Sequence, residues 1–351
     1  MKIAFINQSI RGGGAERATV NLANRLSEKK DTELFLVTGP VQENEYNVSS
    51  QVQRMSVLRI NLFSDIVALR KVFKENKIDV AVGMGIYSNL CVCIANFGIK
   101  TKIIISERNS PAHDHISKKS KLLRFLFYRN ADAYVFQTQQ ARQFYSKVIQ
   151  KRGVVIHNPV KSDLPDKSHV NNKEIVAVGR LMPQKNYNML LDAMKKVIEL
   201  HPEYILRIFG VGNDLEKLQE KSKKIDVEKN VVFEGFCLNV HEQIQDSEIF
   251  VMSSDFEGMP NSLMEAMAMG FPVVTTDCPC GGPSELIADG ENGILVPVGD
   301  CEKMAEAIIH VIEDKELSKK ISVNAKDIIR THNDSVIVDS WMDLFCRILF
   351  K

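Results

Sequence analysis

Two glutamates, Glu257 and Glu265, stand with seven residues between them in "DFEGMPNSLMEAMAMGFPVV", Asp255 to Val274. Carboxylates in so apolar a stretch can exchange protons, attack an electrophile or accept hydrogen bonds from sugar hydroxyls. Arg180 and Lys185 lie in "VAVGRLMPQKNYNML", and an Arg fork beside a Lys point charge can clamp a diphosphate. Gly12, Gly13 and Gly14 precede an amphipathic segment, and backbone without side chains lets N–H groups approach a phosphate or a sugar. Gly210 and Gly212 in "FGVGNDLEKL" offer the same closeness to a base or ribose. Each feature has a plainer alternative: a turn glutamate, a half-buried helix glutamate, two solvated cations, a tight turn. Spacing alone does not choose between them.

These residues need a scaffold, and the chain alternates short β-rich runs with helical patterns throughout. "KIAFIN", "ELFLVTG", "IDVAVGMG", "KIIISER", "AYVFQTQ" and "VVIHNP" are strand candidates in the first half; "EIVAVGR", "YILRIFG", "VVFEGF", "EIFVMSS", "PVVTTD" and "GILVPV" follow in the second. That rhythm implies parallel sheets covered by helices. The polar stretch Val160 to Lys173, "VKSDLPDKSHVNNK", reads as a linker. In open parallel sheets ligands bind beyond the carboxyl ends of the strands, which is where every candidate above falls. A helix from about Asn261 to Gly270 places Glu257 in a loop and Glu265 inside the helix. The free N–H groups near Asn261 to Leu263 then face the same mouth.

Composition narrows the class. The chain has 351 residues, 44% hydrophobic and 25% charged, as expected of a globular protein of two domains. The opening run "IAFI" is too short for a signal peptide, which points to the cytoplasm. Val80 to Ile99 carries no charge, but its glycines and asparagines favour a buried strand and helix over a membrane span. Seven cysteines, an odd number without paired CxxC spacings, are expected to be reduced thiols, and Cys278-Pro279-Cys280 has no second pair of ligands in register for a metal. No GxGxxG or GK[ST] occurs, which disfavours a dinucleotide oxidoreductase. Lys and Arg outnumber Asp and Glu by 24 to 12 up to Val160 and are outnumbered 21 to 32 after it. A basic front half suits an anionic partner such as a membrane surface or a phosphorylated ligand.

Taken together, the motifs resemble those of the retaining glycosyltransferases of family 4. The family's E-x7-E signature is matched by Glu257, Gly258, Pro260, Glu265, Ala266, Met267, Ala268, Gly270, Pro272, Val273 and Val274. "VGRLxxxKN" is matched by Val178 to Asn186, "GGPxExIxDGxNGxLVPxGD" by Gly281 to Asp300, and the front "GGGAER" also fits. The resemblance implies the α/β GT-B fold, two doubly wound Rossmann-like domains facing across a cleft. Residues 1–160 would form an acceptor-binding domain, with a helix at about 335–351 packing back onto it, and 173–333 a nucleotide-sugar domain.

It further implies that Arg180 and Lys185 hold the donor diphosphate as leaving group, that Glu257 contacts the donor sugar, and that Glu265 takes the ribose. Backbone around Phe236 to Leu238 would receive the base, with Gly13, Gly14, Gly210, Leu238, Gly258, Met259, Pro260, Asn261, Ser262 and Leu263 as donor-binding candidates. No metal or cofactor is implied, since the cations and the helix start supply positive charge. Configuration would be retained by a same-face mechanism, so the glutamates are not a glycosidase pair. Where many relatives carry a histidine, this chain has Ser106, Glu107, Arg108 and Asn109; Arg108, Asn109 and His113 are acceptor-side candidates, and His115 follows.

The "SERNSP" stretch is similar to that of bacterial hexosamine and galactose transferases acting on polyprenyl-pyrophosphate oligosaccharides. The expected reaction moves a hexose or N-acetylhexosamine from a UDP-sugar to a lipid-linked saccharide in envelope or capsular polysaccharide assembly. The alternatives are a nucleotide-sugar epimerase, a transferase to a soluble acceptor, and a non-catalytic sugar-nucleotide-binding module. In "ISKKSKLLRFLFYR", Lys118, Lys119, Lys121 and Arg124 flank apolar residues, as in a segment lying on an anionic membrane; a plain helix with a basic face has the same letters. Peripheral attachment at the inner membrane face is expected, and no nucleic-acid partner.

Overall fold

The computed structural model describes residues 1–59, 61–112, 118–168 and 172–350, the side chains of 118–121 excepted. It divides into two compact units, Met1–Pro159 with Asp334–Lys351, and Val160–Asn333.

In the first unit, seven parallel strands run β1 (Lys2–Ile6), β2 (Glu33–Thr38), β3 (Val52–Ser56), β4 (Val80–Met84), β5 (Lys102–Ser106), β6 (Ala133–Phe136) and β7 (Gly153–Val155), in the spatial order β3-β2-β1-β4-β5-β6-β7. The central strands are apolar on both faces because helices cover both; β4 is buried at every position. The uncharged stretch from Val80 is β4 followed by the buried helix Ile86–Ala95. Inside it, Asn89 is fully buried and satisfied by β5: its Nδ2 donates to the Ser106 carbonyl at 3.1 Å, and its Oδ1 accepts from the Ser106 N–H at 3.2 Å. β3, absent from the strands expected of the sequence, is an edge strand whose "VQRMS" buries only Val52 and so lacks an apolar run. β7 lies earlier than the expected "VVIHNP" strand, with Ile156 to Pro159 beyond its end.

The last helix, Asp334–Leu349, belongs to this first unit. Ile337, Val338, Trp341, Leu344 and Phe345 are its buried stripe, the helical spacing of one apolar face. Trp341 meets Phe5 of β1 edge-on, with centroids 5.9 Å apart. Arg25 Nε pairs with Asp334 Oδ2 at 2.8 Å, fixing the start of this helix against the helix Gly14–Ser27.

The second unit holds β8 (Glu174–Val178), β9 (Ile205–Phe209), β10 (Val231–Gly235), β11 (Ile249–Met252), β12 (Val273–Thr276) and β13 (Ile294–Val296), in the order β10-β9-β8-β11-β12-β13. Every pairing is parallel. The order reverses between β8 and β11, the place at which an open parallel sheet takes its ligand. The expected linker does not hang free: the Val160 N–H donates to the His332 carbonyl at 2.7 Å, and the Lys167 N–H to that of Met269 at 2.8 Å. Its polarity is that of a strand of loop laid over the second unit.

Candidate functional site

The reversal point of the second sheet carries the candidate cations and one of the glutamates. After β8, Gly179 leaves room for the Lys185 side chain; a Cβ there would stand 3.0 Å from Lys185 Cε. Asn186 follows in the left-handed conformation, φ 43°, and its side chain caps the helix Tyr187–Leu200 by accepting from the Met189 N–H. The loop after β11 is stitched to this one. The Asp255 N–H donates to the Gln184 carbonyl at 2.8 Å, Gln184 Nε2 to the Phe256 carbonyl at 2.8 Å, and Asn186 Nδ2 to Asp255 Oδ1 at 2.6 Å. So braced, Lys185 Nζ meets Glu257 Oε1 at 2.6 Å, and Ser254 Oγ donates to the same oxygen at 2.8 Å. Both side chains are about nine-tenths buried, at 14% and 10% exposure, so this is no solvated surface pair. Arg180, in contrast, is exposed and has no ion pair among the described residues.

A third loop, after β12, holds Glu257 from the other side. The Glu257 N–H donates to the Pro279 carbonyl at 2.8 Å and the Cys280 N–H to the Glu257 carbonyl at 3.0 Å. Gly282 is required there: a Cβ would stand 1.9 Å from the Gly258 carbonyl oxygen. Cys278 is buried, which pushes its thiol up to about 12; it is a packing residue, and the described residues contain no cluster of metal-ligating groups. Gly258, Met259 and Pro260 are buried in the turn that leads to the helix Asn261–Met269, which ends on the left-handed Gly270, φ 84°. Asn261, Ser262 and Leu263 supply its first N–H groups, the positive end of the helix dipole.

Glu265 lies within that helix, 7% exposed, and its Oε2 stands 2.9 Å from His241 Nε2. No spacing rule pointed to His241, 24 residues upstream, nor to Ser254, Gln184 and Asp255; they are near only because three loops converge. Gly210 and Gly212 have a protein reason to be glycine. Cβ atoms there would stand 1.9 Å from the Gly179 carbonyl oxygen and 2.1 Å from that of Leu181. They seat the loop after β9 against the loop after β8. Beyond β10, Phe236 and Leu238 are 66% and 83% exposed, an apolar ledge beside these loops in sequence.

The first unit has its own opening. Gly12, φ 73°, turns the chain so that Gly13 caps the helix Gly14–Ser27. A Cβ on Gly13 would collide with Glu16 Oε2, so the Glu16 carboxylate folds back over the helix start. Beyond β1, β4 and β5 lies a cavity of about 420 Å³ whose lining includes Gln8, Tyr87, Glu107, Arg108, Asn109 and Arg124. Arg108 is half-buried: Nη1 donates to Asn158 Oδ1 at 2.8 Å, and the guanidinium stands 6.0 Å from the Trp341 ring centre. Burial pushes it down to about 10, and its Nε is buried without a hydrogen-bond partner.

Arg124 donates to the Tyr145 hydroxyl and stacks 5.0 Å from the Tyr145 ring and 5.6 Å from that of Tyr128. Two aromatic faces hold this cation at the cavity. Leu122, Phe125 and Leu126 of the same helix are exposed. His113 and His115, and the side chains of Lys118, Lys119 and Lys121, lie outside the described residues.

Residues 161–328 match the model of glycosyl transferases group 1, and residues 12–164 that of glycosyltransferase family 4. The chain is 28% identical to the GalNAc-alpha-(1->4)-GalNAc-alpha-(1->3)-diNAcBac-PP-undecaprenol alpha-1,4-N-acetyl-D-galactosaminyltransferase of Campylobacter jejuni, with 99% of each chain covered. Another protein of that organism, the N-acetylgalactosamine-N,N'-diacetylbacillosaminyl-diphospho-undecaprenol 4-alpha-N-acetylgalactosaminyltransferase, is 27% identical over 93% of this chain and 94% of that one. Among solved structures, Anabaena Alr3699/HepE in complex with UDP superposes with a TM-score of 0.84 at 18% identity, over 99% of this chain and 100% of that one.

Proposed function

The chain belongs to the glycosyltransferases that these two models describe and has the GT-B fold, and from that premise we propose a retaining hexosyl transfer from a UDP-sugar to a lipid-linked saccharide acceptor in envelope or capsular polysaccharide assembly. The observation that carries the donor side is the buried contact of Lys185 Nζ with Glu257 Oε1 at 2.6 Å, at the reversal point of the second sheet and beside the exposed Arg180. Charge in this transfer develops on the departing diphosphate. Arg180, Lys185 and the helix start at Asn261 are the positive groups at hand, and preorganised charge of this kind lowers the barrier most. On this reading a divalent ion is dispensable.

When the donor enters, Lys185 turns its ammonium from Glu257 to the diphosphate. The freed carboxylate then accepts hydroxyls of the donor sugar, while Glu265 accepts those of the ribose. Glu257 therefore positions the sugar. The leaving phosphate takes the acceptor proton on the face from which it departs, which retains configuration. The Campylobacter relatives, both named for transfer to diphospho-undecaprenol saccharides, support a lipid-linked acceptor, and the UDP of the Anabaena structure supports uridine.

The cavity of the first unit, with Arg108 and Asn109, is the acceptor side of the same reading. No helix of the described residues is long and apolar enough to cross a membrane, and the exposed Leu122, Phe125 and Leu126 supply a face that can rest on one. Purified protein, a panel of UDP- and GDP-hexoses and an undecaprenyl-diphosphate saccharide test the whole proposal: transfer from a UDP-sugar should persist in EDTA with the α-linkage kept. Binding of a GDP-sugar alone would remove uridine, and an inverted product would remove the same-face mechanism. Interconversion of UDP-sugars without any acceptor would favour an epimerase, and sugar-nucleotide binding with neither reaction a binding module.

A further inference from the structure

We propose that His241 is the positioning residue of the donor ribose site, holding the Glu265 carboxylate in place and tying it to the loop that receives the base. The proposal rests on the assignment of Glu265 to the ribose hydroxyls. Its observation is the 2.9 Å contact of His241 Nε2 with Glu265 Oε2, both residues 7% exposed. A carboxylate oxygen only accepts, so the ring nitrogen facing it carries the hydrogen. A buried carboxylate oxygen deprived of a donor is costly, and a glutamate side chain has three rotatable bonds to settle. The ring therefore fixes one of the two oxygens of Glu265, Oε2.

His241 sits on the short helix Val240–Ile244, which starts two residues after Leu238. The segment is anchored before the exposed Phe236 and Leu238, where the Gly210 N–H donates to the Gly235 carbonyl at 2.8 Å. The 236–238 loop thus runs between a backbone anchor just past β9, at Gly210, and the imidazole that contacts Glu265. A base settling on that loop and a ribose settling on Glu265 report to one short segment. His241 touches no reacting atom in this arrangement. It acts through Glu265.

The test compares binding of UDP and of 2′,3′-dideoxy-UDP by calorimetry in the full chain and its H241F, H241Q, H241N and E265Q variants. The native chain should prefer UDP. H241F should lose about tenfold of that preference, the size of one hydrogen bond to a charged group, with its affinity for the dideoxy nucleotide little changed. H241Q, whose Nε2 amide reaches about as far as the imidazole Nε2, should restore the preference, and the shorter H241N should not. H241F that keeps the full preference overturns the proposal, as does equal weakening toward both nucleotides, the mark of a merely structural residue. If H241F does not fold, the contrast between H241Q and H241N decides in the same way. E265Q separates the two levels: full preference there removes Glu265 from the ribose and His241 with it, whereas lost preference in E265Q but not in H241F removes His241 alone.

Discussion

At the scale of the residue, Lys185 and Glu257 stand within contact distance, held by Ser254 and by loops that hydrogen-bond to one another. Lys185→Ala or Glu257→Gln should lower kcat by about 10²- to 10³-fold, as loss of one preorganised charge or acceptor does. Each change leaves the other member of a buried pair uncompensated, at about 3–5 kcal/mol, so the melting temperature should fall as well, while the folded fraction should keep its far-UV circular dichroism. Normal turnover in either variant would take the residue out of the site. Arg108 gives a prediction with a sign. Its guanidinium is lowered by burial to about 10, so the unfolded chain binds that proton more tightly than the folded one. Its charge opposes folding below pH 10, and this penalty fades as pH rises through about 10 toward the unfolded value. Arg108→Met should melt at or above the parent's temperature at pH 8, because a half-buried cation paired with no carboxylate among the described residues is replaced by an apolar chain, yet transfer to the saccharide acceptor should drop. A melting temperature several degrees lower would show that the bond to Asn158 outweighs the burial.

At the scale of the element, three loops leave β8, β11 and β12 and close on one another, and glycines set how closely. Gly282→Ala puts a methyl 1.9 Å from the Gly258 carbonyl oxygen. Backbone must move, at about 1–3 kcal/mol, and the loop that moves carries Glu257. Thermal unfolding and turnover should fall together, whereas Gly299→Ala, where no atom lies within 4 Å, should strain only the backbone at φ 77° and leave turnover intact. Most of these elements were legible. The strands around the site are buried apolar runs, and the helix Asn261–Met269 ends on the Gly270 that was read as its stop. The edge strand β3 was not, because half of its surface faces water and its pattern is polar. The close approaches at Gly210, Gly212 and Gly282 were legible as glycine and illegible as contacts. A glycine reports that something comes near but not what, and in each case it is a carbonyl oxygen of this same chain.

At the scale of the whole molecule, the chain leaves the first unit at Pro159, builds the second and returns at Asp334. Trp341, 1% exposed against Phe5, makes that return part of the first core. Trp341→Ala should cost about 3–5 kcal/mol and lower the unfolding midpoint of the first unit, with UDP binding by the second unchanged; a midpoint that does not move would make the last helix an appendage. By itself the sequence determined the two parallel sheets, the loops in which chemistry can occur and the residue types those loops hold, because strand burial and turn chemistry are local properties. What only the tertiary structure decided is which of those residues meet. Arg124 stacks on Tyr145, 21 residues further along, and His241 reaches Glu265 across 24 residues. Such pairings depend on how loops from separate strands converge, and distance along the chain carries no information about that.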